Sequence, residues 1–175
     1  MSILVTGGAG YIGSHMVLNL CDSGQKVVVL DNLSTGHDWA IDPRAKLVVA
    51  DAGDLDKVSA VIAEEGVDSI IHFAGSIIVP ESVTDPLKYY ANNTGVSRNL
   101  LEAAVTGGVK RIIFSSTAAV YGMTGLDPVK ETTELNPMSP YGRSKLMTEW
   151  MIKDTAAAFD LKFGILRYFN VAGAD

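Results

Sequence analysis

Two residues one helical turn apart carry the most specific chemistry in this sequence. They are Tyr141 and Lys145, in Ser139-Pro140-Tyr141-Gly142-Arg143-Ser144-Lys145. If residue 140 opens a helix, both side chains lie on the same face. A free phenol titrates near pKa 10 and is a poor base at neutral pH. A nearby ammonium stabilises the phenolate, so Lys145 is expected to lower that pKa toward the range of a general base. Tyrosine and lysine four apart also arise by chance in many helices, so the pair gains meaning from its company. Ser115-Ser116-Thr117, leaving an apolar run, offers hydroxyls that can hold a substrate oxygen beside the phenol.

A second constellation stands at the start of the chain. The run Ile3-Leu4-Val5 leads into Thr6-Gly7-Gly8-Ala9-Gly10-Tyr11-Ile12-Gly13 and then into a helical stretch from Ser14 to Leu20. A strand, a glycine-rich turn and a helix make a phosphate cradle, because the backbone approaches closely and the helix start offers unpaired N–H groups. The spacing is Gly-x-x-Gly-x-x-Gly, not the tighter Gly-x-Gly-x-x-Gly dinucleotide fingerprint. A tight turn with no ligand is the plainer reading of the loop alone.

Asp31 lies 18 positions after Gly13 and closes the run Lys26-Val27-Val28-Val29-Leu30. That interval suits a carboxylate on a ribose 2′-hydroxyl, although Asp-Asn also starts many turns. A carboxylate repels a 2′-phosphate and no arginine follows at once, so NAD is favoured over NADP. Oxidised nicotinamide would add a second positive charge near the phenol. Asp51 could cap the next helix or accept from an adenine amino group. Asn93, inside a helical pattern, reads as a surface amide or as a buried brace to a neighbouring strand.

These residues need elements to position them. Strands are predicted at 3–5, 26–30, 46–50, 69–73, 111–115 and 162–167. Helices are predicted from about Ile12 to Ser23, 54 to 65, 87 to 105 and 140 to 159. Residues 32–45, 76–86 and 120–139 read as connections rich in glycine, proline and polar residues. The alternation predicts an α/β fold: one doubly wound parallel sheet of Rossmann type, with helices on both faces and a single domain over 1–175. In such a sheet, ligands sit beyond the carboxyl ends of the strands, so the residues leaving each strand end are where to look.

Bulk properties narrow the class. The chain has 175 residues, a net charge of −6 and scattered Lys and Arg, so nucleic acid and anionic membranes are not expected partners. Cys21 is the only cysteine, read as a small apolar filler, and neither a disulfide framework nor a metal site is expected. No basic stretch precedes an apolar one at the N-terminus, and no apolar run approaches a membrane span. A soluble, cytoplasmic protein is the expectation.

Taken together, these stretches resemble the extended short-chain dehydrogenase/reductase superfamily, and within it the UDP-glucose 4-epimerases. The resemblance rests on Val5 to His15, Asp31-Asn32-Leu33-Ser34, His72-Phe73-Ala74-Gly75 and Glu81-Ser82-Val83. It extends through Pro86-Leu87, Tyr89 to Asn93, Phe114 to Gly122, Ser139 to Lys145 and Leu166 to Asn170. It implies that Gly7, Gly10 and Gly13, with Tyr11 and Ile12, cradle the NAD pyrophosphate. Asp31 and Asn32 would hold the adenosine ribose, and Asp51 with Ala52 the adenine. Phe73, Ala74 and Gly75 would line the cofactor, with Asn93, Ser115 and Tyr168 beside the same pocket. Thr117 would touch the sugar hydroxyl, Tyr141 would be the base, and Lys145 its electrostatic partner and nicotinamide-ribose anchor. Phe169 and Asn170, with Thr117 and Tyr141, would meet a UDP-glucose or UDP-galactose substrate. The family commonly forms homodimers through two long helices, corresponding here to 87–105 and 140–159.

Departures from the pattern set further expectations. Ser76 is followed by Ile77 where the epimerases often have a lysine, which is expected to loosen NAD retention. Val171 replaces a usual proline. Family members continue for roughly as long again, in the part supplying most of the nucleotide-sugar lobe. The 175-residue chain is therefore expected to bind NAD but to turn over UDP-galactose poorly or not at all. Related 4,6-dehydratases and decarboxylases carry an acidic residue just past the strand-five hydroxyl, where this chain has Ala118 and Ala119. A non-catalytic NAD-binding module would need neither Tyr141 nor Lys145.

Overall fold

The computed structural model describes residues 1–125 and 128–173. Its strands are β1 (Ser2–Thr6), β2 (Lys26–Asp31), β3 (Lys46–Val49), β4 (Val67–His72), β5 (Arg111–Ser115) and β6 (Lys162–Leu166). All pair in parallel, in the order β3-β2-β1-β4-β5-β6. The expected doubly wound sheet is present, and its strand order reverses at β1, between β2 and β4. Register aligns the carboxyl ends: Thr6 pairs with Leu30 and with His72, and His72 with Phe114.

The helices are α1 (Tyr11–Asp22), α2 (Leu55–Glu65), α3 (Val79–Thr84), α4 (Pro86–Tyr89), α5 (Val96–Thr106) and α6 (Pro140–Ala158). Alternate strand residues face opposite layers, as the period of two requires. Leu4, Leu30, Ile70, Ile112 and Phe114 pack with Val58, Ile62, Leu100 and Ile152 from α2, α5 and α6. Val5, Val29 and Ile71 pack with Val17 and Cys21 of α1. Cys21 is thus the buried filler its setting suggested. β1 is buried along its whole length, as a central strand covered on both faces must be.

Local chemistry starts the helices that matter. The Ser139 hydroxyl accepts from the Gly142 N–H at the head of α6, and Pro140 follows in the first helical position. Asp54 caps α2 by accepting from the Lys57 N–H at 3.0 Å. The structure adds three features to the sequence reading. The 76–86 connection contains α3; the helical run starting at 87 passes through a π-helical turn at Tyr90–Gly95; and single 3-10 turns occur at Asp38–Ala40 and Ala118–Tyr121. Leu126 and Asp127, in the predicted irregular stretch, lie outside the described residues. Among those described, no helix is long and apolar enough to cross a membrane, and no His, Cys, Asp and Glu cluster could hold a metal.

Candidate functional site

The glycine turn joins β1 to α1 at the strand-order reversal. Gly7 is in the left-handed region at φ +70°, and a Cβ there would stand 2.6 Å from the Ala74 nitrogen. Gly13 is closer still: its Cβ would lie 2.2 Å from the Gly7 carbonyl oxygen. Helix and turn therefore touch backbone to backbone. Gly10 stands at the N-cap of α1, where no side chain caps the helix and no acidic residue occupies the first turn. The first-turn N–H groups, those of Tyr11 and Ile12 among them, are left for an anion. Tyr11 is half exposed, and its hydroxyl donates to the Gly173 carbonyl.

Asp31, buried at the end of β2, binds both neighbours of the turn. Its carboxylate accepts from the Ala9 N–H at 2.9 Å and from the Leu33 N–H at 2.8 Å. Leu33 takes a left-handed φ of +57°, which turns the chain back over the carboxylate. Asn32 donates to Asp51 at 3.2 Å, and Asp51 also accepts from the Gly53 N–H at 2.7 Å. Of the two readings for Asp51, helix capping is excluded, because Asp54 performs it. Ala52 is buried and belongs to the core.

The other half of the site lies across the crevice. Asn93 is 2% exposed, so it is buried and not a surface amide, but it braces a loop and a helix instead of the strand expected. Its Oδ1 accepts from the Ser76 N–H at 2.7 Å, while Nδ2 donates to the Ser76 carbonyl and to the Ser144 hydroxyl. That pins the segment after Phe73, Ala74 and Gly75 to the helix bearing Tyr141. A Cβ on Gly75 would lie 3.5 Å from Lys145 Nζ, so the lysine head sits beside that turn.

Lys145 is itself 2% exposed. Its ammonium donates to the Ser115 carbonyl at 3.0 Å and stands 4.9 Å from the centre of the Phe114 ring. Burial pushes its pKa down to about 8. Tyr141 is partly buried and meets the edge of the Tyr89 ring at 6.4 Å. Its pKa is raised, first by burial; the Thr117 hydroxyl pulls it back and the neighbouring Tyr168 adds to the rise. The expected lowering by Lys145 is therefore not what the structure gives. The ammonium is turned toward Ser115 and Phe114, and desolvation governs the phenol.

Thr117, Tyr141 and Tyr168 come together at the ends of β5 and β6, where Ser115 and Tyr168 share a hydrogen bond between hydroxyls. Phe169 is 74% exposed and Asn170 also faces solvent, so the chain leaves the cluster immediately after Tyr168. Ile77 is exposed two residues past Gly75.

Several buried groups were missed by the sequence reading. His72 bonds Thr6 through Nδ1 at 2.7 Å and Ser97 through Nε2 at 2.9 Å. Ser97 donates its hydrogen to the Asn93 carbonyl, so Nε2 donates and Nδ1 accepts. Burial drives the His72 pKa down to about 3, so the ring is neutral. Glu149, with Ser116 and Arg167, forms a second buried network. Its signal was readable: Glu149 follows Lys145 by one helical turn, on the inward face.

Residues 3–175 match the NAD dependent epimerase/dehydratase family. This chain belongs to that family. It is 54% identical to a UDP-glucose 4-epimerase of Lacticaseibacillus casei over 99% of its length and 53% of the relative's. A UDP-glucose 4-epimerase of Azospirillum brasilense is 51% identical, over 99% of this chain and 50% of its own. The structure of the Brucella ovis UDP-glucose 4-epimerase in complex with NAD superposes with a TM-score of 0.96 at 44% identity, covering 99% of this chain and 53% of that one. The family member described here thus spans about half the length of the relatives it matches.

Proposed function

We propose that this chain is the NAD-binding and proton-transfer half of a UDP-hexose 4-epimerase. The observation that carries the reading is the hydrogen bond between Thr117 and Tyr141, with the Lys145 head on the same helix beside Gly75 and the start of α1 left uncapped. Gly7, Gly10 and Gly13 bring backbone against the pyrophosphate, with the first-turn N–H groups of α1 as donors. Asp31 keeps oxygen lone pairs for ribose hydroxyls, since each oxygen accepts one backbone hydrogen. Asn32, Asp51 and Ala52 border the adenine end. Ser115, Tyr168 and the Phe73–Gly75 turn border the nicotinamide end.

Bound NAD would supply the redox equivalent at the sugar C4, leaving the overall reaction redox-neutral. Tyr141 takes the proton from the sugar 4-hydroxyl oxygen and returns it after the ring has turned over. Thr117 donates a hydrogen bond to that oxygen and fixes its distance from the phenol. Lys145 anchors the nicotinamide ribose. The phenol's raised pKa must fall for this work, and a positive charge next to it is the cause available. Ala118 and Ala119 offer no carboxylate for proton chemistry at C5, which supports epimerisation over dehydration or decarboxylation.

Homodimerisation in the cytoplasm completes the reading. Its support is three exposed apolar side chains, Leu87 on α4 and Met147 and Trp150 on α6, 77%, 40% and 53% exposed. Sedimentation of wild type against Trp150→Glu tests it; a wild-type monomer at tens of micromolar sinks it.

The central test is NAD titration by calorimetry of the purified chain, together with Tyr141→Phe. Wild type should bind NAD, and Tyr141→Phe should still bind. In a protein carrying the C-terminal half as well, Tyr141→Phe should lose at least about a hundredfold in kcat, the scale of general-base catalysis. A folded chain that ignores NAD overturns the proposal.

A further inference from the structure

Glu149 is a charge that proton transfer by Tyr141 does not use. It lies on α6, four residues past Lys145 and eight past Tyr141, and its side chain is 0% exposed. A buried carboxylate persists only when paired and hydrogen-bonded. Here Arg167 Nε stands 2.9 Å from one carboxylate oxygen and 3.1 Å from the other, and Nη2 donates at 2.5 Å. Ser116 donates its hydroxyl hydrogen to the same carboxylate at 2.5 Å. Arg167 also donates to the Tyr121 hydroxyl at 3.0 Å and stacks over that ring at 5.1 Å.

The partners come from the exits of β5 and β6 and from the 3-10 turn between β5 and α6. Their immediate neighbours are the site: Thr117 follows Ser116, and Tyr168 follows Arg167. The two exits are also zipped by the Ser116 N–H on Leu166 and the Ala118 N–H on Tyr168, at 2.9 and 3.0 Å. A buried ion pair is a poor way to gain stability, since an apolar pair of equal volume often does as well or better. What it supplies is direction, because a bidentate guanidinium–carboxylate pair fixes both planes.

We propose that Glu149 and Arg167 are positioning residues, whose ion pair holds the exits of β5 and β6 against α6 so that Thr117 and Tyr168 face Tyr141. The inference rests on the reading of Tyr141 as the proton-transfer group. Its test does not need NAD, so the two can fail separately.

The experiment is titration of Tyr141 in the 175-residue chain by NMR of 13Cζ-labelled tyrosine, with the resonance assigned through Tyr141→Phe. The groups facing the phenol are Thr117, Tyr168 and Tyr89, while the Lys145 ammonium on the same helix is turned to Ser115 and Phe114. Glu149→Met combined with Arg167→Leu removes both charges and leaves neither orphaned; Ser116→Ala removes a single hydroxyl and guards against a double variant that fails to fold. Releasing the exits withdraws the Thr117 hydrogen bond, which lowers the pKa more than Tyr168 raises it. The Tyr141 pKa should therefore move upward in both variants, more in the double one. A folded variant in which Tyr141 titrates as in wild type overturns the proposal, as does a loss of thermal stability with no movement of that titration.

Discussion

Gly13→Ala separates a close-packed phosphate cradle from an ordinary glycine-rich turn. The added methyl would come 2.2 Å from the Gly7 carbonyl oxygen and 2.7 Å from the Gly8 Cα, more than an ångström inside ordinary contact for the first. Both atoms belong to the main chain, so no rotamer change relieves the clash. In an open helix the same exchange would stabilise by about 1 kcal/mol, because alanine is the better helix former. Overpacking against backbone costs about 3 kcal/mol at the upper end of its range. The difference is a net loss of about 2 kcal/mol, or about 4–8 °C in Tm for a domain of this size.

Relief of that clash has a second consequence. α1 must lift from the turn, which carries the Tyr11 and Ile12 N–H groups away from the anion position. NAD affinity should fall by about tenfold or more, equivalent to about 1.4 kcal/mol. Gly24→Ala is the control: its φ is +71° and nothing lies within 4 Å of the new methyl. It should lose about 1 kcal/mol through backbone conformation alone and bind NAD as wild type does. Thermal melts followed by circular dichroism, and calorimetric titration below the melt, read both quantities. A Gly13→Ala protein that melts and binds like wild type would refute the reasoning; so would one that loses stability alone.

Three further outcomes follow from buried charge and from the crevice. Lys145, held at about 8 in the fold, titrates near 10.4 when unfolded, so the unfolded chain binds the extra proton between those values and stability rises with pH there. The full rise is about 3 kcal/mol, and Lys145→Met should abolish it in urea melts at pH 8 and pH 10; equal pH slopes in the two proteins would contradict the burial argument. His72, held at about 3 against about 6.5 unfolded, works the other way: the fold weakens as pH falls from about 6.5 toward 3. His72→Gln should show a shallower loss between pH 7 and pH 5, and an acid limb identical to wild type would count against a neutral buried ring. Ile77→Lys should slow NAD loss on dialysis and tighten binding by about fivefold, the worth of about 1 kcal/mol for an exposed charge contact; unchanged retention would show that the position does not face the cofactor.

The sheet was legible because its causes are local. Val27 to Leu30 is a β-branched and apolar run with Asp31 at its end, and Gly66 caps α2 in the left-handed conformation that glycine favours at helix ends. The same holds for Tyr141 and Lys145, whose shared face follows from helical spacing once Ser139 and Pro140 start α6. The π-helical turn at Tyr90–Gly95 had no such cause. Asn92, Asn93, Thr94 and Gly95 weaken a helix but do not specify a π turn; the turn coincides with Asn93 reaching both Ser76 and Ser144, partners 17 and 51 residues away.

The direction of the Tyr141 pKa was misread for a related reason. Spacing along a helix says which side chains are neighbours, but not which way a lysine head points or how much water remains around a phenol. Lys145 points toward Ser115 and Phe114, so its charge supports the strand exit before it supports the phenol. Tyr141 is then left with burial as its main perturbation, and Thr117 as the group that opposes it. A phenol in this condition stays protonated at neutral pH. Under the proposed reading, the chain's own residues fix the geometry, and lowering the phenol's pKa falls to the positive charge of bound NAD.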